Sequence, residues 1–414
     1  MNAPPETIIF PGELIVKTLA LLFRRILLLS LASMWCSILS TDANAQVPVL
    51  LYHAHSSFGY SASLFTQHMD FLKSNGYNTI TPDDLLNWMQ YDDALPPRPI
   101  LITMDDNYIP VYDEVFSILQ ARGMVAVNFA HTNYVGVVTG SGDHCDWNEI
   151  QIMENAKVIF TESHTKSHQQ LTSLSNSQAQ VEIEGSKQAI ELNVPGKVCR
   201  YIAYPYGAYN STHVAMCQAA GYRAAFTTAD QKAYRTTPVY EIGRTTIGAD
   251  SVATFASKIG YNSLPPLPGP GFTLDNADPN CTVVTPSAWT ATTTGSPYGP
   301  QALTKSAGTG ANYVRWAVKV PQSGTYKLYA RWTSAPDRAT NATYVIQHAG
   351  GTESVVVNQR TNGGQWNVLG TWNFSSTIPA QVTLSDAADG TVSADAIWFE
   401  PVASAVSDWM LYTE

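Results

Sequence analysis

Between residues 47 and 262, short apolar runs alternate with amphipathic stretches, and this alternation restricts the fold more than any other property of the chain. VPVLLYH (47–53) reads as a buried strand, and 63–75 as a helix with Phe65, Met69 and Leu72 on one face. ILITM (100–104), MVAVNFA (124–130), KVIF (157–160), RYIAY (200–204), YRAAFT (222–227) and VYEIG (239–243) continue the strand series, with helical stretches at 175–192 and 211–220. Repeated strand-then-helix units predict an α/β architecture with a parallel sheet closed as a barrel. Barrel enzymes place their chemistry at the C-terminal ends of the strands. Here those ends carry His53, Asp105-Asp106, His131, His164 and Tyr206.

The chain changes character at SLPPLPGPG (263–271), a stretch too poor in helix and strand formers to belong to a core. Beyond it apolar residues recur every second position: Val314, Trp316, Val318 and Val320 in one run, Tyr326, Leu328, Ala330 and Trp332 in the next. With turns at Gly350-Gly351 and Gly363-Gly364, this predicts an all-β antiparallel sandwich. The expected organisation is a signal at 1–45, an α/β barrel at 46–262, a linker at 263–272, the sandwich at 273–402 and a tail at 403–414.

Residues 1–45 read as an export signal. Arg24 and Arg25 precede the apolar run Ile26 to Leu39, and Ala43-Asn44-Ala45 offers a cleavage site. The expected destination is periplasmic or extracellular, with no stable membrane span after cleavage. Cys145, Cys199, Cys217 and Cys281 would remain, and a disulfide there is expected to join Cys199 to Cys217. One starts a strand and the other ends the following helix, so both return to the same side of a barrel. A net charge of −10 argues against a nucleic-acid partner, since a polyanion would be repelled.

The chemistry concentrates in ITMDDNY and in SHTKSH (163–168). Asp105 and Asp106 end an apolar run, and His164 and His168 stand four apart. On a helical turn that spacing puts both imidazoles on one face. Two His and a carboxylate form a common ligand set for a catalytic divalent ion, zinc above all, that leaves a position open for water. The second carboxylate is then free to act as a base.

Four stretches, TMDD, HTKSH, RYIAYPYG (200–207) and DHCDW (143–147), make the region from Val47 to about Asn262 resemble the NodB-like polysaccharide deacetylases of carbohydrate esterase family 4. The resemblance implies a distorted (β/α) barrel, a bound metal and an N-acetylated polysaccharide substrate. By motif, Asp105 resembles the catalytic base, and Asp106, His164 and His168 the metal ligands. Arg200 resembles the arginine that orients the base, and Tyr206 the residue whose backbone N–H holds the oxyanion. Asp146 and Trp147 resemble the pair that borders the groove, and Tyr204, Tyr206 and Trp147 would meet sugar rings. Met104 and Asn107 stand where relatives commonly have Phe and Gly; Asn tolerates the positive φ such a turn needs. The late histidine of many relatives is missing, and LLYH places His53 at the end of the first strand instead. That arrangement resembles the permuted branch acting on poly-β-1,6-N-acetylglucosamine and makes His53 the expected general acid, with His55, His131 and His144 as competitors. LDNADP, GTYKLYARW and LSDAADGTVSADAIWF make the region from about Thr273 to Val402 resemble the golvesin or xanthan-lyase C-terminal-like domain. Two other readings remain at this point: a non-catalytic carbohydrate-binding or adhesin protein, and a metal-dependent O-acetyl esterase.

Overall fold

The computed structural model describes residues 46–53, 60–139, 142–261 and 269–402. The expected export signal, most of the linker, the tail and His55 lie outside the described residues.

Eight parallel strands build the first sheet: seven in line, β1 (Val49–His53), β2 (Pro99–Asp105), β3 (Ala126–Ala130), β4 (Ile159–Ser163), β5 (Tyr201–Ala203), β6 (Ala224–Phe226) and β7 (Thr245–Thr246), and the short strand Asn78–Thr79, which pairs with the start of β2. The order of the seven is β6-β5-β4-β3-β2-β1-β7. Every residue of β2 and β3 is buried, as expected of strands covered on both faces. Helices α1 (Ala62–Ser74), α2 (Pro82–Tyr91), α3 (Trp147–Asn155), α4 (Asn176–Asn193), α5 (Ser211–Ala219) and α6 (Val252–Lys258) fill connections around the sheet. Each follows a Ser, Thr, Asp or Asn whose side chain accepts a hydrogen bond from the first turn, which fixes where the helix begins.

The sheet closes through an irregular segment, and there the sequence reading needs correction. The stretch 239–243 is not a full strand; Ile242 alone bridges Phe226 in parallel. Ala225 N–H donates to Val239 O, Thr227 N–H to Ile242 O and Arg244 N–H to Ala229 O, after which β7 pairs with β1. Pro238 has no N–H for a ladder. Gly243 passes so close to Ala229 O that a Cβ would come within 2.5 Å of it. A second shift concerns β4. Lys157 turns at φ 55, so the strand runs to Ser163 and delivers His164 directly to the sheet edge.

Cys199 and Cys217 carry free thiols, contrary to the expected bridge. The Cys217 thiol faces the Tyr204 hydroxyl, and Cys199 Sγ lies 3.8 Å from Tyr201 O, so both sulfurs point into separate parts of the core.

The second region is antiparallel throughout its two main sheets. One has the order β8 (Phe272–Asp275), β16 (Ala396–Pro401), β11 (Gly324–Arg331), β14 (Asn367–Phe374). The other runs β9 (Cys281–Val283), β10 (Tyr313–Val318), β15 (Ala380–Ser385), β12 (Ala342–His348), β13 (Gly351–Val357). Val314, Trp316 and Val318 from one sheet and Leu328, Ala330 and Phe399 from the other share one core, so the inward residues of the alternating pattern are the buried ones.

Sandwich and barrel belong to one compact unit. Trp88 Nε1–H donates to Pro279 O at 3.1 Å, and Asn280 accepts from Leu95 N–H and donates to Pro96 O, both at 3.0 Å. Arg315 pairs with Asp92 at 2.7 Å. These barrel residues lie on α2 and immediately before β2, at the end where the strands start.

Candidate active site

At the opposite end, β2 finishes in Asp105, and the next two residues, Asp106 (φ 76) and Asn107 (φ 57), are both left-handed. Asn107 has the positive φ expected of it. Its buried amide fixes the turn by donating to Cys145 O at 3.0 Å and accepting from Asn128 Nδ2 at 2.6 Å. Asp106 N–H donates to Phe129 O. The turn gives both carboxylates a shared neighbour: His164 Nε2 lies 3.5 Å from Asp105 Oδ2 and 3.7 Å from Asp106 Oδ1.

His164 and His168 meet through a loop, not the helical turn their spacing suggests. Thr165 (φ 64) and His168 (φ 57) are left-handed, which breaks any helix. Glu182 on α4 accepts from Lys166 N–H at 2.9 Å and Ser167 N–H at 2.7 Å, and Ser163 Oγ accepts from Thr165 N–H. One nitrogen from each imidazole and one Asp106 oxygen lie within 4.8 Å of one another. His164 Nδ1–H donates to Ala203 O at 2.8 Å, which fixes the tautomer and leaves the Nε2 lone pair facing the carboxylates. Asp106 Oδ1 is buried without a hydrogen-bond partner among the described residues. An orphaned carboxylate oxygen opposite two imidazole nitrogens is a donor set that fits a divalent ion.

The two aspartates differ electrostatically. Burial opposes ionisation of Asp105, but Arg244 and then His164 overcome it and hold its carboxyl well below the usual carboxylate range. Asp106, pushed up first by burial and then by the Asp105 charge, sits at about 7. Arg244 is fully buried: Nη1 and Nη2 donate to the two oxygens of Asp105 at 2.6 and 2.8 Å, and Nε to Thr227 O at 2.9 Å.

The guanidinium that meets Asp105 is therefore that of Arg244 and not that of Arg200. Arg200 precedes β5, at the strand-start end, and its guanidinium reaches Asp83 at 3.3 Å with 45% of the side chain exposed. Nothing in the strand pattern singled out Arg244. The available signal was a lone guanidinium in a segment otherwise fit for the core.

His53 ends β1 in register with Asp105. Burial lowers its pKa, Asp105 counteracts, and its own charge acts on both Asp105 and His168, so it faces the same centre. Tyr206 (φ 59) is 64% exposed with its ring 4.7 Å from that of His168. Tyr204 does not line a groove: it is fully buried and stacked on Tyr209 at 4.7 Å. The Asp146 carboxylate caps α3 by accepting from Glu149 N–H, and Trp147 packs half-buried against the barrel core. Neither contacts the carboxylate–imidazole cluster among the described residues.

Residues 92–225 match the family model described as polysaccharide deacetylase, and residues 272–401 that of the golvesin C-terminal domain. The polysaccharide deacetylase homologue YxkH of Bacillus subtilis is 32% identical over 211 residues, covering 50% of this chain and 73% of its own length. The chain belongs to the polysaccharide deacetylase family. The deacetylase is accordingly a hydrolase of carbon–nitrogen bonds. The poly-β-1,6-N-acetyl-D-glucosamine N-deacetylase of Staphylococcus epidermidis is 23% identical over 199 residues, 46% of this chain and 68% of that protein. Among solved structures, the Streptococcus pyogenes deacetylase PplD aligns with a TM-score of 0.48 and 20% identity, over 52% of this chain and 98% of that one. Arg244 lies beyond the residues that match the deacetylase model.

Proposed function

We propose that this deacetylase is an exported, metal-dependent N-deacetylase of N-acetylated hexosamine polymers of the poly-N-acetylglucosamine kind, and that 46–262 form its catalytic domain and 273–402 an accessory one. The observation that carries the reading is the division of labour between adjacent carboxylates: Asp105 clamped by Arg244, Asp106 left facing His164 and His168. Asp106, His164 and His168 would hold a divalent ion, zinc being the expected one, which would supply Lewis acidity to the acetamide carbonyl and the attacking water.

The remaining work falls to the protein. Asp105, kept ionised and oriented by Arg244, takes the proton of the attacking water. The N–H of Tyr206 faces the oxygen on which charge develops. His53 gives its proton to the departing nitrogen, which would otherwise leave as a very basic amide anion. Acetate and a free amine result. The exposed ring of Tyr206 beside His168 is the surface offered to a pyranose face.

Acetate release from matched N-acetylated and O-acetylated glucosamine oligomers, with and without chelator, tests the reading. Turnover of the amide alone, lost with chelator and restored by zinc, is expected. Turnover confined to the O-acetyl series would refute an N-deacetylase, and chelator resistance would refute the metal.

A further inference from the structure

Three imidazoles, not two, approach one carboxylate oxygen. Asp106 Oδ1 lies 3.5 Å from His168 Nε2, 3.7 Å from His164 Nε2 and 3.7 Å from His131 Nε2. Only the first two join Asp106 in the set of atoms within 4.8 Å of one another, so His131 reaches the oxygen from another side. It directly follows β3 and is buried. Its ring meets Tyr134 edge-on at 4.6 Å and His144 at 5.0 Å, and the backbone beside it is tied to the His164–His168 loop by Thr132 N–H to Thr165 O. These contacts leave the imidazole little freedom to swing away from Asp106.

We propose that His131 is a positioning residue of the metal centre: its Nε2–H is the donor to Asp106 Oδ1 and sets that carboxylate in its ligating orientation. This rests on the metal reading above and deepens it. The tautomer decides between donor and ligand. His131 Nδ1 is buried and has no partner among the described residues. Were His131 to ligate through Nε2, the proton would have to sit on Nδ1 as a buried N–H with no acceptor, a rare and costly arrangement. With the proton on Nε2 it points at a carboxylate oxygen that accepts no hydrogen bond among the described residues. The 3.7 Å contact is electrostatic as it stands and becomes a charge-assisted hydrogen bond with a movement of about 0.8 Å. His164, by contrast, has its Nδ1 proton spoken for by Ala203 O and its Nε2 lone pair available.

The test is calorimetric titration of zinc into metal-stripped full-length protein, comparing wild type with Asp106→Ala, His131→Leu and His131→Gln. Wild type should bind one ion and Asp106→Ala none. His131→Leu, which keeps the volume and removes the donor, should weaken binding by about 10–100-fold, the usual scale for a lost outer partner. His131→Gln, which restores an N–H, should recover most of that loss. Wild-type affinity in His131→Leu, with Asp106→Ala inactive in binding, would overturn the role of His131 and leave the metal centre standing. No zinc binding by wild type would overturn the metal reading and this proposal together. Nitrogen-15 NMR of the wild-type histidines needs no variant: an Nε2–H tautomer for His131 in the zinc-loaded protein is expected, and a metallated Nε2 would overturn the proposal.

Discussion

At the residue scale, the decisive side chain is Arg244. Its two contacts to Asp105 are made in a fully buried setting, where one partner without the other is an uncompensated charge. Arg244→Met should destabilise the protein by about 3–5 kcal/mol, read as a lower melting temperature. Losing the cation raises the Asp105 pKa, so the acid limb of the rate–pH profile should move to higher pH, with turnover down by about 10²-fold or more. Arg200→Ala should leave turnover within about threefold of wild type, since an exposed pair of this kind contributes about 1 kcal/mol or less. The opposite ranking of the two variants would return the orienting role to Arg200. Asp105, Asp106 and His164 were legible because they stand where strands end, and strand ends converge; His168 was legible only through its spacing from His164, since a loop carries it. Arg244 was not, because its partner lies 139 positions away and its own segment breaks the strand pattern.

At the scale of elements, the lesson is the loop that carries the two histidines. A four-residue spacing predicts one face of a helix, but Ser163 Oγ and the Glu182 carboxylate capture three of the backbone N–H groups a helix would have needed. The same two nitrogens converge by a different backbone, with Thr165 in a left-handed conformation that a β-branched residue adopts only under constraint. Glu182→Ala should release that constraint. The expected result is a loss of about 1–3 kcal/mol in stability together with lower metal content of the purified protein. Unchanged metal content would show that the loop holds its shape without α4. The strand–helix alternation of the first region and the inward residues of the sandwich, by contrast, follow from periodicity alone, whereas the closing segment 239–244 depends on Pro238, Gly243 and a ladder contact no period reveals.

At the scale of the whole molecule, barrel and sandwich share buried polar contacts. Ending the chain near Ser263 removes the acceptor of the Trp88 indole and both partners that Asn280 provides to Leu95 and Pro96. Such a truncated protein should still release acetate from small N-acetylated oligomers, because the residues placed in the site precede residue 245. It should melt several degrees lower than the full chain, as unsatisfied groups and newly bared Trp88 cost stability. Equal melting temperatures would mean the interface contributes nothing to folding.

The seat of the sandwich has a consequence for how a long polymer is met. It rests against the strand starts, whereas the carboxylates and imidazoles sit at the strand ends. The five residues of β1 that lie between span about 17 Å. Were the sandwich to hold polymer, that stretch would lie at the opposite end of the strands from the carboxylates and imidazoles. Such an arrangement would suit mooring to one strand of a meshwork while an adjacent strand, or a distant loop of the same one, is worked on; it would not suit threading a chain from one module into the other.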